Sequence, residues 1–342
     1  MSDPAVAGDA ILAFDQAINP YGCSPTVAEA MAAFALSRGY RLYGDPDARA
    51  LREKLAAHHG LAPENLLVYN GAGEALVWIF VARLLLPRAR LLVPYPAYER
   101  FVAVGARTAA EIVEVPLDPH DFSLDVDRVV ETARARGADV ALLSSPNNPT
   151  GNLLVDDAAL ARLLDEVPEV LWIVDEAYAD YAGVSYASWV AERRNLVVLR
   201  TFSKAYGLAG LRVGYAVGHV EEMARLSAFR LPWNVGSMSL VAAEAAIDDQ
   251  EYLKDVVGKI RADREAFGAM LRSVPGLLPY PSDANFYLVA LDGIDPPRFL
   301  AHLAAQRIRV RTRPDMPSHI RVTSLLPEQN QRLVDALASV PS

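Results

Sequence analysis

The chain has 342 residues, of which 52% are hydrophobic and 22% charged, and its formal net charge at pH 7 is −9. This composition is typical of a water-soluble protein that can build a large core and two domains, and the acidic balance gives no indication of a nucleic-acid partner. No apolar run approaches the roughly 20 residues of a membrane helix, and the first residues lack the layout of a signal peptide. The single cysteine, Cys23, excludes an intrachain disulfide and a thiolate zinc cluster, so a cytoplasmic location is the default expectation.

Residues 1 to about 30 contain Pro4, Pro20 and Pro25 and little periodicity, which predicts an arm. Within it, the run Asn19-Pro-Tyr21-Gly22 is typical of a turn. A helix is predicted to begin near residue 26.

A second helix is predicted over residues 48–59, after a turn that contains Tyr43. Leu51 and Leu55 lie on one face of this helix, and Asp47 is its expected N-cap.

A glycine-rich turn is predicted between a strand at 66–70 and a helix at 75–86. The turn, Gly71-Ala72-Gly73-Glu74, would leave amide N–H groups at the positive end of the helix dipole, which suits a phosphate. The next predicted strand, 91–93, is followed by Tyr98.

Two further apolar strands end in polar side chains. The strand at 140–143 runs into a turn that contains Asn148-Pro-Thr-Gly151, and the strand at 170–175 ends in Asp175, with Tyr178 three residues later. A carboxylate at the end of a buried strand is costly unless it is paired with a cation or hydrogen bonded. A Mg²⁺ site at Asp175 and Glu176 is the competing hypothesis, although no second acidic cluster supports it.

The apolar run at 195–200 predicts another buried strand, and Lys204 follows it. Burial lowers the pKa of a lysine and makes it a better nucleophile, as a Schiff base with a carbonyl cofactor requires. Ser203 and Arg212 flank it with a hydroxyl and a fixed cation, which are usual partners of a phosphate.

Residues beyond Arg212 alternate between helices and short strands, which predicts a smaller α+β domain. Strands are expected at 285–289, 308–311 and 320–323. Arg321 and Arg311 lie on two of them, and their guanidinium groups suit a carboxylate or a phosphate.

The order of these motifs resembles that of the fold-type I pyridoxal phosphate (PLP) enzymes, the aspartate aminotransferase superfamily. Within it, the chain is most similar to the histidinol-phosphate aminotransferase family. The resemblance implies an α/β fold: a mostly parallel sheet of the seven-stranded type that carries the cofactor, with a smaller C-terminal α+β domain. The expected divisions are an arm at 1–35, a large domain at 36–236 and a small domain at 237–342.

The resemblance also implies roles for individual residues. The expected catalytic residues are Lys204, Asp175 and Tyr178. The expected cofactor-binding residues include these three and Ala72, Gly73, Glu74, Tyr98, Asn148, Thr201, Ser203, Arg212 and Tyr43, the last acting across a homodimer interface. The expected substrate-binding residues are Arg321, Arg311, Tyr21 and Asn19. No metal is expected.

Three functions remain open. The first is an aminotransferase that moves an amino group between histidinol phosphate or a related amino acid and a 2-oxo acid. The second is a lyase of the threonine-phosphate decarboxylase kind, whose Ile-Asn-Pro-x-Gly arm also resembles residues 18–22, or another specialised-metabolism PLP enzyme. The third is a non-catalytic ligand-sensing module, and the presence of both Lys204 and Asp175 counts against it.

Overall fold

The structure is a computed structural model that describes residues 11–85, 88–108 and 110–339. Its strands are β1 (Leu12–Ala13), β2 (Leu66–Tyr69), β3 (Arg90–Tyr95), β4 (Glu111–Pro116), β5 (Val140–Ser144), β6 (Leu171–Asp175), β7 (Leu196–Thr201), β8 (Gly214–Gly218), β9 (Leu277–Pro279), β10 (Phe286–Leu291), β11 (Ile308–Arg309), β12 (Arg311–Thr312) and β13 (His319–Thr323). Its helices are α1 (Pro25–Ser37), α2 (Arg49–His59), α3 (Ala72–Leu84), α4 (Glu99–Arg107), α5 (Val126–Arg136), α6 (Asp157–Glu166), α7 (Ala179–Ala182), α8 (Val220–Ser227), α9 (Ser237–Asp248), α10 (Gln250–Arg272), α11 (Pro296–Ala305) and α12 (Pro327–Ala338).

A seven-stranded sheet dominates the fold, in the order β2-β8-β7-β6-β5-β3-β4. Only β8 runs against its neighbours, so the predicted mostly parallel α/β sheet is confirmed. The central strands are apolar throughout because both faces are covered. Trp172 and Val174 pack into the core on one face of β6, and Ile173 packs into the core on the other.

The strand order brings three predicted motifs to one edge. β7, β6 and β5 are parallel neighbours, and Ser144 at the end of β5 lies level with Asp175 at the end of β6. The residues that follow these strands therefore meet at the carboxyl edge of the sheet, where ligands bind in open α/β folds.

A separate four-stranded antiparallel sheet, β12-β13-β10-β9, forms from the C-terminal part of the chain. The single strand predicted at 308–311 is wrong, because the chain changes sheets at Val310. Ile308–Arg309 pairs in parallel with Leu12–Ala13 of the arm, whereas Arg311–Thr312 pairs with β13. The arm is thus tied to the C-terminal region, and its Phe14 is fully buried.

Two local predictions also change. Asp47 is not the N-cap of α2, because Ala48 occupies that position; the carboxylate of Asp45 accepts from the backbone N–H groups of Arg49 at 2.6 Å and Asp47 at 2.9 Å. Asp47 instead pairs with Arg230. Helix α3 begins at Ala72, three residues before its predicted start.

The predicted domain boundaries at residues 36 and 237 stay predictions.

Among the residues that the structure describes, no helix combines the length and the apolar character needed to cross a membrane.

Candidate active site

The amine of Lys204 lies beyond the carboxyl end of β7, between the sheet and the arm. Its Nζ donates a hydrogen bond to the carbonyl oxygen of Gln16 at 3.2 Å and lies 5.4 Å from the centroid of the Tyr178 ring. Burial lowers the pKa of Lys204 to about 8, assisted by the cation of Arg321, while the carboxylate of Asp175 opposes the shift. A larger fraction of neutral, nucleophilic amine follows at physiological pH.

Asp175 lies at the end of β6 with little solvation. Its Oδ1 accepts from the backbone N–H of Ala177 at 3.0 Å. Burial raises the pKa of Asp175 to about 6, and the neighbouring carboxylate of Glu176 adds to the rise. A cationic partner would relieve this cost.

Glu176 points to a different set of partners. It is buried and accepts from Arg200 at 2.9 Å, from the Ser185 hydroxyl at 2.6 Å and from the backbone N–H of Tyr186 at 2.6 Å. Asp175 and Glu176 therefore do not converge as a pair of metal ligands.

Arg321 reaches from β13 to the edge of the larger sheet. It donates from Nη1 to Oδ1 of Asn148 and from Nη2 to the carbonyl oxygen of Asp15, both at 2.7 Å. Its guanidinium carbon lies 4.9 Å from the ring centroid of Phe286. The buried Nε has no hydrogen-bond partner among the described residues, so this cation keeps capacity for an anionic ligand.

The amino end of α3 and the segment after β7 form one cradle. Gly71 adopts a φ of +88°, and a Cβ there would fall 2.6 Å from Nη2 of Arg212. Arg212 also donates to the Ser203 hydroxyl at 3.2 Å. Gly214 lets the start of β8 lie close to the start of α3, since a Cβ at Gly214 would fall 2.4 Å from the backbone nitrogen of Ala72. A helix N-terminus, a hydroxyl and a guanidinium thus lie together, as a phosphate site requires.

Glu74 and Thr201 have local partners instead. The Glu74 carboxylate accepts from the backbone N–H of Asn70, just before α3, and from the amide of Asn234 at 3.1 Å. The Thr201 hydroxyl accepts from the backbone N–H of Ser203 at 3.0 Å. Both residues therefore have partners within the chain, and their cofactor-binding roles stay predictions.

Asn19 supports the lysine segment from the arm. Its Nδ2 donates to the carbonyl oxygens of Ala205 at 2.8 Å and Gly22 at 2.9 Å, and its Oδ1 accepts from the backbone N–H of Tyr21 at 2.8 Å. Both polar atoms of its side chain therefore have partners within the chain, and the predicted contact with substrate stays a prediction. The Tyr21 hydroxyl likewise donates to Asp263 at 2.6 Å.

Tyr43 and Arg311 lie at more open positions. Tyr43 is 86% exposed, and its ring lies beside that of Trp233, with ring centroids 5.1 Å apart. Arg311 lies opposite Arg321 in the β12–β13 pairing and forms an ion pair with Glu99. Tyr98 is half-buried directly before α4.

Sequence patterns did not predict that two backbone carbonyl groups of the N-terminal arm form hydrogen bonds with the cations of the site. Asp15 and Gln16 accept from Arg321 and Lys204 through backbone oxygens. A backbone acceptor leaves no side-chain pattern, and the strand β1 that positions this segment is two residues long. The pairing of β1 with β11 could not be foreseen from local propensity.

Comparison with known proteins decides the family. The sequence profile described as "Aminotransferase class I and II" matches residues 10–337. The chain belongs to this family. A histidinol-phosphate aminotransferase from Roseiflexus castenholzii is 39% identical over 337 residues, covering 96% of this chain and 90% of that protein.

Solved structures agree with this assignment. The structure of histidinol-phosphate aminotransferase from Sinorhizobium meliloti, in complex with pyridoxal-5'-phosphate, superposes with a TM-score of 0.87 at 26% identity, covering 97% of this chain and 91% of that one. The structure of L-threonine-O-3-phosphate decarboxylase from Porphyromonas gingivalis gives a TM-score of 0.83 at 25% identity, covering 96% and 98%. The protein is a PLP-dependent aminotransferase of fold type I, as its motifs predicted.

The residues present at the sheet edge fit pyridoxal 5'-phosphate. Arg212 and Gly71 form a cradle that a single Cβ would fill, which suits a phosphate group. Three polar groups at this edge have no hydrogen-bond partner within the described part of the chain: the amide nitrogen of Asn148, the Tyr178 hydroxyl and Oδ2 of Asp175. The site therefore offers donors, an acceptor and an amine to a polar ring.

Proposed function

We propose that this aminotransferase acts on histidinol phosphate or a close analogue and returns the amino group to a 2-oxo acid. The names of relatives such as the Roseiflexus castenholzii protein support the substrate class. The structural observation that carries the proposal is the guanidinium of Arg321 at Asn148, on the same site as Lys204.

The phosphate end of the cofactor is assigned to the cradle. The N–H groups that open α3, the Ser203 hydroxyl and the Arg212 guanidinium would hold it there. Gly71 and Gly214 permit the close backbone approach on which the cradle depends.

Pyridoxal 5'-phosphate, when bound, supplies an aldehyde carbon that takes up amines and a ring that stabilises negative charge at the substrate α-carbon. Lys204 is the residue that would attach it covalently, and its amine, once released, removes and returns the proton at the substrate α-carbon. Asp175 would hold the ring nitrogen in its protonated form, because a buried carboxylate favours a cationic neighbour. Asn148 and Tyr178 would hold the ring oxygen.

Arg321 would bind the anionic end of the substrate. Histidinol phosphate has no carboxylate, so for this substrate the guanidinium must meet the phosphate. Arg311, directly opposite on β12, can add a second cation once its ion pair with Glu99 opens. A dianionic phosphate is a suitable ligand for two guanidinium groups.

A substrate comparison tests this function. Purified protein loaded with cofactor is mixed with histidinol phosphate, histidinol or single amino acids, and conversion of the aldehyde form to the amine form is followed by absorbance. We expect conversion with histidinol phosphate and weak conversion with histidinol. Conversion by a carboxylated amino acid alone would overturn the proposed substrate class.

A decarboxylase is the second candidate, since residues 18–22 and the Porphyromonas gingivalis neighbour favour it. Carbon dioxide release from L-threonine O-3-phosphate, without amino transfer, would support this candidate over the first. Because Lys204 and Asp175 serve both reactions, only the product distinguishes them.

We further propose that the protein is a homodimer with shared active sites. Large apolar side chains are exposed around Tyr43: Tyr40 at 64%, Leu42 at 60%, Trp233 at 46% and Leu231 at 62%. An exposed apolar patch of this kind is typical of a protein interface. A second copy would cover it and bring Tyr43 to the cofactor phosphate of the partner.

A cytoplasmic location is also proposed. The cysteine content, a single Cys23, supports a reducing compartment. Fractionation of cells that produce the natural protein would test it.

A further inference from the structure

A second cleft lies apart from the proposed active site. It has a volume of about 520 Å³ and lies between the end of α2, the segment that contains α7, and one face of α10. Lys204, Asp175 and Arg321 do not line it. A ligand in this cleft would therefore not be in contact with the reacting groups.

The floor of the cleft is a fixed ion network. Arg200, whose side chain is 7% exposed, pairs with Glu176 at 2.9 Å and with Asp180. On the wall, His59 lies 3.0 Å from the Tyr215 hydroxyl, and burial together with the cation of Arg200 lowers its pKa to about 3. The histidine is thus a neutral, planar part of the wall.

Two exposed cations of helix α10, Lys254 and Arg261, line the cleft. Neither forms an ion pair within the residues that the structure describes. Lys259 of the same helix, by contrast, pairs with Asp255 at 2.7 Å. On a chain of net charge −9, two such cations beside one cleft indicate a place for an anion.

Gly258 lies between these cations on the same helical face, four residues after Lys254 and three before Arg261. A Cβ at Gly258 would meet nothing within 4 Å among the described residues, whereas a Cβ at Gly268 would fall 2.4 Å from the Tyr287 hydroxyl. Packing therefore explains Gly268 but not Gly258, although a glycine in a helix interior is destabilising relative to alanine. Gly258 leaves a notch between the two cations.

We propose that this cleft binds a small organic anion. Its carboxylate or phosphate groups contact Lys254 and Arg261 across the notch at Gly258, and its apolar or planar body lies against Leu253 and Val257. Because Arg200 lies on β7, the strand that leads to Lys204, an occupant of the cleft also contacts the strand that precedes the active-site lysine.

Isothermal titration of the cofactor-loaded protein with benzene-1,3-dicarboxylate tests the proposal, since this probe carries two anions on a planar body. We expect saturable binding that Gly258→Leu abolishes and that Lys254→Gln with Arg261→Gln weakens about tenfold or more. Gly258→Ala adds only one carbon to the notch, so it should weaken binding less than Gly258→Leu does, while raising the unfolding temperature. Leucine is also a good helix former, so Gly258→Leu should stay folded.

Arg321→Ala separates binding at the cleft from binding at the active site. It removes the active-site guanidinium, so binding of the dicarboxylate at the cleft should persist in this variant. Binding that is lost in Arg321→Ala but unchanged in Gly258→Leu would overturn the proposal, as would the lack of any saturable binding. Inorganic phosphate that binds as tightly as the dicarboxylate would overturn the role of the apolar wall.

Discussion

Lys204 and Asp175 both lie where their ordinary charge is disfavoured. Burial lowers the pKa of the amine and raises that of the carboxyl group, so each would gain from a partner that the chain itself does not supply. Such opposed shifts at one edge of a sheet are typical of functional sites. Both residues were predicted from their places at the ends of buried strands, because burying a charged group there costs free energy unless it has a partner.

Asp175→Asn tests how far the buried carboxylate lowers the free energy of unfolding of the apoprotein. The folded-state pKa of about 6 lies above the ordinary value of 3.8, so the folded state binds the proton more tightly and its stability falls as pH rises through this window. We expect the apo variant to unfold at a higher temperature than wild type near pH 7, with the difference fading toward pH 4. Thermal unfolding across this pH range measures it.

The same variant, loaded with cofactor, should lose most of its turnover because an amide cannot hold the ring nitrogen protonated. A stability difference that is independent of pH, or wild-type turnover, would contradict the assigned role of Asp175.

We predict that Asn19 is a positioning residue, because its hydrogen bond to the carbonyl oxygen of Ala205 holds the backbone next to Lys204 in place. Asn19→Ala should then lower kcat with little change in KM and shift the pH at which the absorbance of the lysine-bound cofactor changes. A substrate contact predicts the reverse, a raised KM with kcat unchanged. Tyr21→Phe is the matched control in the same turn, since it removes only the hydroxyl contact with Asp263.

At the scale of elements, the buried parallel strands were predictable and the edges were not. β5, β6 and β7 are short apolar runs, which local pattern identifies well. The segment 308–311 was predicted as one strand, yet its two halves pair with β1 and β13. That division depends on contacts across nearly the whole chain, which no local pattern contains.

The start of α3 offers a matched pair of substitutions. Gly71→Ala would place a Cβ near Arg212 and require a backbone conformation that costs about 1–3 kcal/mol for alanine. We expect its affinity for pyridoxal 5'-phosphate to fall about tenfold or more. Gly73→Ala, where a Cβ meets nothing within 4 Å among the described residues, should keep the affinity of wild type. Equal affinities in equilibrium titrations of the two apoproteins would contradict the cradle.

At the scale of the whole molecule, Tyr43 is predicted to contact the cofactor of a partner subunit. In a single chain its side chain is exposed. The residue lies in an exposed apolar region, so a cofactor that it contacts would have to be held by a second copy of the chain, as proposed above. Sequence resemblance predicted this role, whereas periodicity and composition could not, because an interface aromatic has the same local pattern as a core aromatic.

Complementation tests the shared site. We expect Tyr43→Phe and Lys204→Ala each to be inactive alone; the two variants are then unfolded together and refolded as a mixture. Heterodimers should contain one intact site and recover part of the activity, whereas each variant treated alone should not. Mixed dimers that form, as shown by tagged subunits, but stay inactive would contradict action across the interface.

The central claim is that Lys204 anchors the cofactor at the carboxyl edge of the sheet. The chain contains four lysines, Lys54, Lys204, Lys254 and Lys259, so the attachment can be assigned without ambiguity. Borohydride reduction of the loaded protein, followed by digestion and mass spectrometry, should place the cofactor mass on the peptide that contains Lys204, and Lys204→Ala should carry none. Attachment to another lysine, or an adduct that persists in Lys204→Ala, would contradict the assignment of the active site.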